Sequence, residues 1–519
     1  MLVRQAVAAS LFILSGVCGT TAVHAQAGLP TLGDSSDLTT AQERQLGDRI
    51  IRELYRDPDY IDDAVLNEYV DSIFQPLVKA ARERGELSPE LDERFAWEIL
   101  LGRDRTVNAF ALPGGYFGVH LGLIGVVSTR DELASVLAHE LSHVTQRHIS
   151  RLITQQNRQT PLMLGALVLG ALAASKSPNA AQALMIGGQA VAVQNQLNFS
   201  RDMEREADRI GYGLMAPAGF APQGFVAMFD KLQQANRIND NGSWPYLRSH
   251  PLTTQRIADM HSRLPPGGAA APATPTLEHA MMAARARVLS RPGVDVWRQW
   301  TTEPLGTGFA AQPLPRRVAA WYAAALSASQ LQDVSAARTA LRGLMEAVRG
   351  DAPALRQAKL LSAEIEFAAG DFQAALQQLP AQATLASSAH PPAQAAAPTG
   401  RPEMLLRTQA LLRTGNAQEM TGPLQTRVAT HPHDATAWHL LAAVWQQQNH
   451  PLRAVRAEAE AHAARYDYQA AVDRFKAGQD LARKSGSRGG DAADYIDASI
   501  IETRLRAVDS LLKEQAAER

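Results

Sequence analysis

"SVLAHELSHVTQRH" (residues 135–148) sets a glutamate beside one histidine and a second histidine four positions along. In a helix, positions four apart lie on one face, one turn up. His139 and His143 therefore direct imidazole nitrogens at one point, within the roughly 2.0–2.1 Å reach of a zinc ion. Glu140 is turned by about 100°, placed to reach a water at that ion without binding the ion. Metal-assisted hydrolysis requires that division of labour. Five letters alone do not separate a hydrolysis centre from three polar residues that share a helix, so the surrounding chain has to decide.

Thr129 and Glu132 form a capping box, which launches one long helix over about 130–157 with the histidines in its middle. Zinc asks for a third protein ligand and an open fourth position. "FSRDMEREADRIGYGLM" (199–215) predicts a helix carrying Glu204, Glu206 and Asp208. Glu204 and Asp208 are four apart and share a face, while Glu206 points elsewhere. One carboxylate of the pair binds metal and the other orients a ligand histidine through its free N–H. Upstream, "RFAWEILLG" (94–102) and "NAFALPGGYFGVHLGLIGV" (108–126) read as strands, broken at Pro113-Gly114-Gly115. Asn108, Ala109, Phe110 and Ala111 are a candidate sheet edge on which an extended peptide substrate pairs by strand addition.

At 519 residues the chain exceeds one ordinary core. Its net charge of −1 excludes nothing structural, but it removes any electrostatic case for nucleic acid. Residues 1–25 read as a secretory signal: "MLVRQ", an apolar run, and "AVHA" ending at Ala25. Cys18, the only cysteine, lies inside that segment, so the exported chain has no disulfide framework and depends on its cores. "TAQERQLGDRIIRELY" opens with a capping box from Thr40 to Glu43, and a second helix follows over roughly 60–80. Residues 160–198 are almost uncharged, and read either as core helices or as a hairpin that touches lipid peripherally or covers the site.

"LPPGGAAAPATPT" (264–276) reads as a linker, after which the pattern becomes short amphipathic helices rich in Ala and Leu. "AAGDFQAALQQL" (368–379) and "AARYDYQAAVDRF" (463–475) share one form: a break, an aromatic, then Ala-Ala and an apolar residue. The array resembles degenerate tetratricopeptide repeats, interrupted by a loop at 387–402.

"NAFALPGG", "HELSH" and "SRDMEREAD" follow in the order found in gluzincin-type peptidases related to the CaaX prenyl protease and the heat-shock protease HtpX. The resemblance implies Glu204, the first Glu of Glu-x-x-Ala-Asp, as third zinc ligand, with Asp208 orienting a ligand histidine. Those relatives are membrane proteins. An exported chain ending in helical repeats instead resembles the subgroup of periplasmic beta-barrel assembly-enhancing proteases of Gram-negative bacteria. That likeness implies outer-membrane barrel proteins and their assembly machinery as partners. It also implies that a histidine in "YLRSHPLTTQRIADM" (246–260), His250, fills the fourth metal position and holds the enzyme latent. His148 reads as structural, and His120 and His261 have no evident partner.

The expected fold class is α+β, mainly α. A gluzincin-type metallopeptidase domain with a small sheet (26–264) is followed by a linker (265–279) and a tetratricopeptide-like solenoid (280–519). The expected function is a periplasmic zinc-dependent endopeptidase, one zinc per chain, that degrades misassembled barrel proteins. Its residues are Glu140 as base and His139, His143 and Glu204 as ligands. The rival is a periplasmic chaperone or scaffold with a vestigial metal site.

Overall fold

Thr39 caps the first helix, α1 (Thr40–Arg56), with its hydroxyl on the Gln42 amide, and the Gln42 side chain returns the bond to the Thr39 backbone. The capping box expected at Thr40 thus begins one residue earlier. Glu43, released from that duty, turns inward to Arg147 and is 1% exposed. The computed structural model describes residues 38–156, 201–237, 243–264, 275–380, 400–486 and 492–517. The expected leader, the uncharged segments at 160–198, and most of the linker and of the 387–402 loop lie outside the described residues.

After β1 (Tyr60–Ile61), α2 (Ala64–Glu83) is capped by Asp63 and buries Leu66, Val70, Ile73, Phe74 and Leu77 on one stripe. The short α3 (Pro89–Arg94) leads into β2 (Glu98–Gly102), β3 (Ala109–Leu112) and β4 (Tyr116–His120). The four strands form one mixed sheet in the order β1-β2-β4-β3, with β2 parallel and β3 antiparallel to β4. Gly114 and Gly115 adopt φ of 77° and 80° in the turn between β3 and β4, which side chains with a Cβ disfavour. Residues 121–126, expected to extend the second strand, instead form a helix, α4 (Leu121–Val126). A continuous apolar run carries no period-2 signal to hold it in a sheet. Among the described residues β3 is therefore an edge strand.

The histidine pair lies on α5 (Arg130–Thr145), whose every residue from Glu132 to Thr145 is buried. The single helix expected over 130–157 is two: α5 ends at Thr145, and α6 (His148–Gln156) begins after Arg147, which has φ 52°. The left-handed residue is held by its own side chain. The Arg147 guanidinium donates to Glu43 at 3.1 Å, to the Leu38 carbonyl and to Ser150. α7 (Arg201–Met215) and α8 (Gln223–Arg237) pack on α5, followed by the single-turn α9 (Tyr246–Ser249) and α10 (Thr254–Ser262).

The helical remainder is α11 (Leu277–Leu289), α12 (Val294–Thr302), α13 (Leu314–Gln330), α14 (Val334–Val348), α15 (Ala352–Ala368) and α16 (Phe372–Gln378). After these come α17 (Arg401–Thr414), α18 (Thr421–Thr430), α19 (Ala435–Gln447), α20 (Pro451–Ala463), α21 (Tyr468–Gly486) and α22 (Ala492–Ala517). Consecutive helices pack as pairs, and Asp333, Asp351, Asp371 and Asp434 cap them through their carboxylates. Leu38–Arg519 makes one compact unit. Its main core runs unbroken from Val65 through Met281, Met282 and Tyr322 to Leu379. Arg285, 4% exposed, ties the two regions together through Asp63, the cap of α2, and Glu364 on α15. Among the described residues, no helix is long and apolar enough to cross a membrane.

Candidate metal centre

His139 and His143 stand one turn apart on α5 with Nε2 atoms 2.9 Å apart. From α7, Glu204 brings Oε2 to 3.4 Å from His139 Nε2 and Oε1 to 3.5 Å from His143 Nε2. From the residue after α9, His250 places Nδ1 3.1 Å from Glu204 Oε1 and 3.3 Å from His139 Nε2. The four residues are all buried, and one ligand atom from each lies within 4.8 Å of the others. Two atoms each about 2.0–2.1 Å from a shared tetrahedral ion stand about 3.4 Å apart. The separations and the nitrogen–oxygen donor set thus fit a zinc-type ion. Burial penalises a charge on His139, yet Asp208 and Glu204 outweigh it and raise its pKa to about 10. The pocket carries acid in excess, as a cation site should.

Glu140 is 1% exposed, accepts from the Ala111 amide at 3.1 Å, and lies 3.3 Å from His250 Nε2. Burial pushes its carboxyl up from the ordinary range, against the pull of His250 and His139. Asn108, Ala109, Phe110 and Ala111 run along the edge strand β3 or its entry, with the Ala111 amide turned to the glutamate rather than to β4. Asp208 Oδ1 sits 2.9 Å from His139 Nδ1, the nitrogen facing away from the cluster.

Four residues make contacts that the spacing did not reveal. Arg256 on α10 grips Asp208 with two bonds of 2.7 and 2.8 Å, reaches Glu204 Oε2 at 2.8 Å, and donates to the Pro251 carbonyl at 2.8 Å. One guanidinium therefore holds both acids and the backbone beside His250. Tyr246 stacks on His250 with ring centroids 4.6 Å apart, and its hydroxyl works against the burial that raises the Glu140 carboxyl. His148, read from the sequence as structural, brings its Nδ1 to 2.8 Å from His143 Nδ1. Glu206, expected to point away, meets His148 Nε2 at 2.9 Å and Arg151 at 2.7 Å. His120 pairs with Thr106 and His261 with Asp230, both away from the cluster. A small recess of about 10 Å³ adjoins His139, lined by Val136, Phe225, Met228, Phe229, His250 and Leu252.

Residues 66–264 match peptidase family M48. The chain is 37% identical over 277 residues to a protein of Vibrio cholerae provisionally named as a beta-barrel assembly-enhancing protease, a match covering 51% of this chain and 53% of that one. It is 29% identical over 438 residues to the beta-barrel assembly-enhancing protease of Escherichia coli, covering 84% and 83%. It is also 28% identical over 201 residues to the mitochondrial metalloendopeptidase OMA1 of Saccharomyces cerevisiae, covering 38% and 55%. The chain thus spans about half the length of the first relative and about four fifths of the second.

Proposed function

With residues 66–264 a peptidase family M48 domain, we propose that this chain is a periplasmic zinc-dependent endopeptidase that acts in outer-membrane protein assembly and degrades misassembled barrel proteins. One observation carries the reading: donor atoms of His139, His143 and Glu204 converge at ligand spacing, with the Glu140 carboxylate beside them. The names of the Vibrio cholerae and Escherichia coli relatives support the connection with barrel assembly.

His139, His143 and Glu204 would hold one zinc ion per chain, and Asp208 would fix the His139 ring. Zinc held there supplies a Lewis acid for the scissile carbonyl and lowers the pKa of the attacking water. Glu140 takes that water's proton and passes it to the leaving amine, a task suited to a carboxylate whose pKa burial has raised. The open side of β3 pairs with an extended substrate, and Ala111 keeps Glu140 aimed at the bond to be cut. His250, with Nδ1 3.1 Å from Glu204 Oε1 and 3.3 Å from His139 Nε2, would be a fourth ligand that keeps water from the centre. The helical region, read as tetratricopeptide-like, holds barrel proteins or their assembly machinery. A cleft of about 620 Å³ lined by Trp438, Leu441, Trp445, Arg453 and Ile496 supports that role.

The purified protein should contain zinc and cleave casein, and Glu140→Gln should keep the zinc and lose the cleavage. A zinc-free protein that cleaves no casein would favour a chaperone or scaffold instead, and an active Glu140→Gln variant would remove Glu140 from its role.

A further inference from the structure

The two ligand histidines are oriented by different means. His139 Nδ1 faces a carboxylate, Asp208, at 2.9 Å. His143 Nδ1 faces another imidazole, His148 Nδ1, at 2.8 Å. For His143 to offer its Nε2 lone pair, its proton has to sit on Nδ1. His148 Nδ1 is then the acceptor, so the His148 proton sits on Nε2. That Nε2 lies 2.9 Å from Glu206 Oε2, a carboxylate oxygen that also receives Arg151 at 2.7 Å. Every donor in the line meets an acceptor. Reversing the first link would turn a lone pair of His148 toward the carboxylate, so the arrangement admits one direction.

The geometry is also fixed from outside. His148 is fully buried and begins α6, directly after the left-handed Arg147. Glu43, brought up by α1, holds that arginine, so the turn that breaks the helix is what swings His148 back beside His143. Continuing α5 as a straight helix would have carried His148 off that face.

We infer that His148 and Glu206 are positioning residues: they set the tautomer and orientation of His143, with Glu206 acting through the His148 ring rather than on the metal. The inference rests on the zinc-site reading above and deepens it.

The test compares zinc affinity of the full chain, by competition with a chromophoric chelator, for wild type, His148→Leu, His148→Asn and Glu206→Gln. Metal-free melting temperatures are read alongside. In His148→Asn the amide Oδ1 stands close to the lost Nδ1 and accepts the same bond; the leucine side chain of His148→Leu offers no acceptor. Both variants lose the ring and its link to Glu206. His148→Leu should therefore weaken zinc binding about 10–100-fold, and His148→Asn should recover most of that loss. Glu206→Gln should weaken binding less, and should add nothing in the His148→Asn background, where the link is already cut. Equal affinity of His148→Leu and wild type would overturn the assignment. So would a His148→Asn variant as weak as His148→Leu, which would make the ring's packing the cause. A wild-type chain that binds no zinc would overturn the metal-site reading itself, and this inference with it.

Discussion

The backbone amide of Ala111 donates to Glu140 Oε2 across 3.1 Å, joining the free edge of the sheet directly to the glutamate of the histidine helix. The strand that would carry a substrate and the group that would take a proton are thus fixed to one another. Glu140→Gln keeps an oxygen for Ala111 and nearly the same volume, so fold and metal should survive. The amide cannot accept a proton from water, and cleavage of an unfolded substrate should fall by about 10²–10⁴-fold, the range that general acid–base catalysis supplies. Zinc content and casein turnover of the two proteins, measured together, check this.

Metal content should rank the acids of α7. Glu204→Gln should lose most of its zinc on dialysis against a mild chelator, because Glu204 alone among them faces both histidine Nε2 atoms. Asp208→Ala should lose an intermediate amount, roughly 10–100-fold in affinity, through the unsupported His139 ring. Glu206→Gln should lose least, since Glu206 acts only through His148. Retention by the Glu204 variant with loss by the Glu206 variant would mean that the ligand register is shifted by two residues.

These assignments also show what could be read from the letters. The four-residue spacing of His139 and His143, and of Glu204 and Asp208, is a helix property, and local periodicity was enough to pair them. The edge position of Asn108–Ala111 followed from alternation broken by Pro113-Gly114-Gly115. Arg256 and His148 were not legible in the same way. Arg256 reaches Glu204 and Asp208 only because α10 folds back over α7. His148 reaches His143 only because Arg147 leaves the helix, a step set by Glu43, 104 positions away in sequence. The capping box slipped by one residue because Thr39 and Gln42 satisfy the same rule as Thr40 and Glu43. Both pairs fit the spacing, and only the tertiary demand for Glu43 chooses between them.

Arg285 should be a point where the catalytic and helical regions stand or fall together. It is 4% exposed and paired with Asp63 and Glu364, so Arg285→Ala leaves two part-buried acids uncompensated. Removing one partner of such a buried pair typically costs about 3–5 kcal/mol, which urea unfolding should register as one earlier transition for the whole chain. For the same reason, a chain cut after residue 279 loses Met281 and Met282 from the main core as well as Arg285. It should be markedly less stable than one that retains α11. Equal stability of the two truncations would support a boundary at the linker.

His250 carries the most exposed prediction. Its imidazole lies 3.1 Å from Glu204 and 3.3 Å from both Glu140 and His139, and Tyr246 stacks on its face. In that position it lies among the groups that would hold the metal and lines the apolar recess beside His139. If it is a latch, His250→Ala frees the site while leaving three ligands, so zinc should be retained and basal cleavage, including self-cleavage, should rise. If the ring instead steadies the oxyanion during turnover, its removal should lower activity with zinc still bound; if it does neither, the rate should not change. Purified His250→Ala, assayed for zinc and for casein cleavage in parallel, separates the three. Its loop is pinned by Arg256 through the Pro251 carbonyl, within reach of the same acids that would hold the metal. Release should therefore be tied to the metal centre itself, and higher basal activity with zinc retained is the expected outcome.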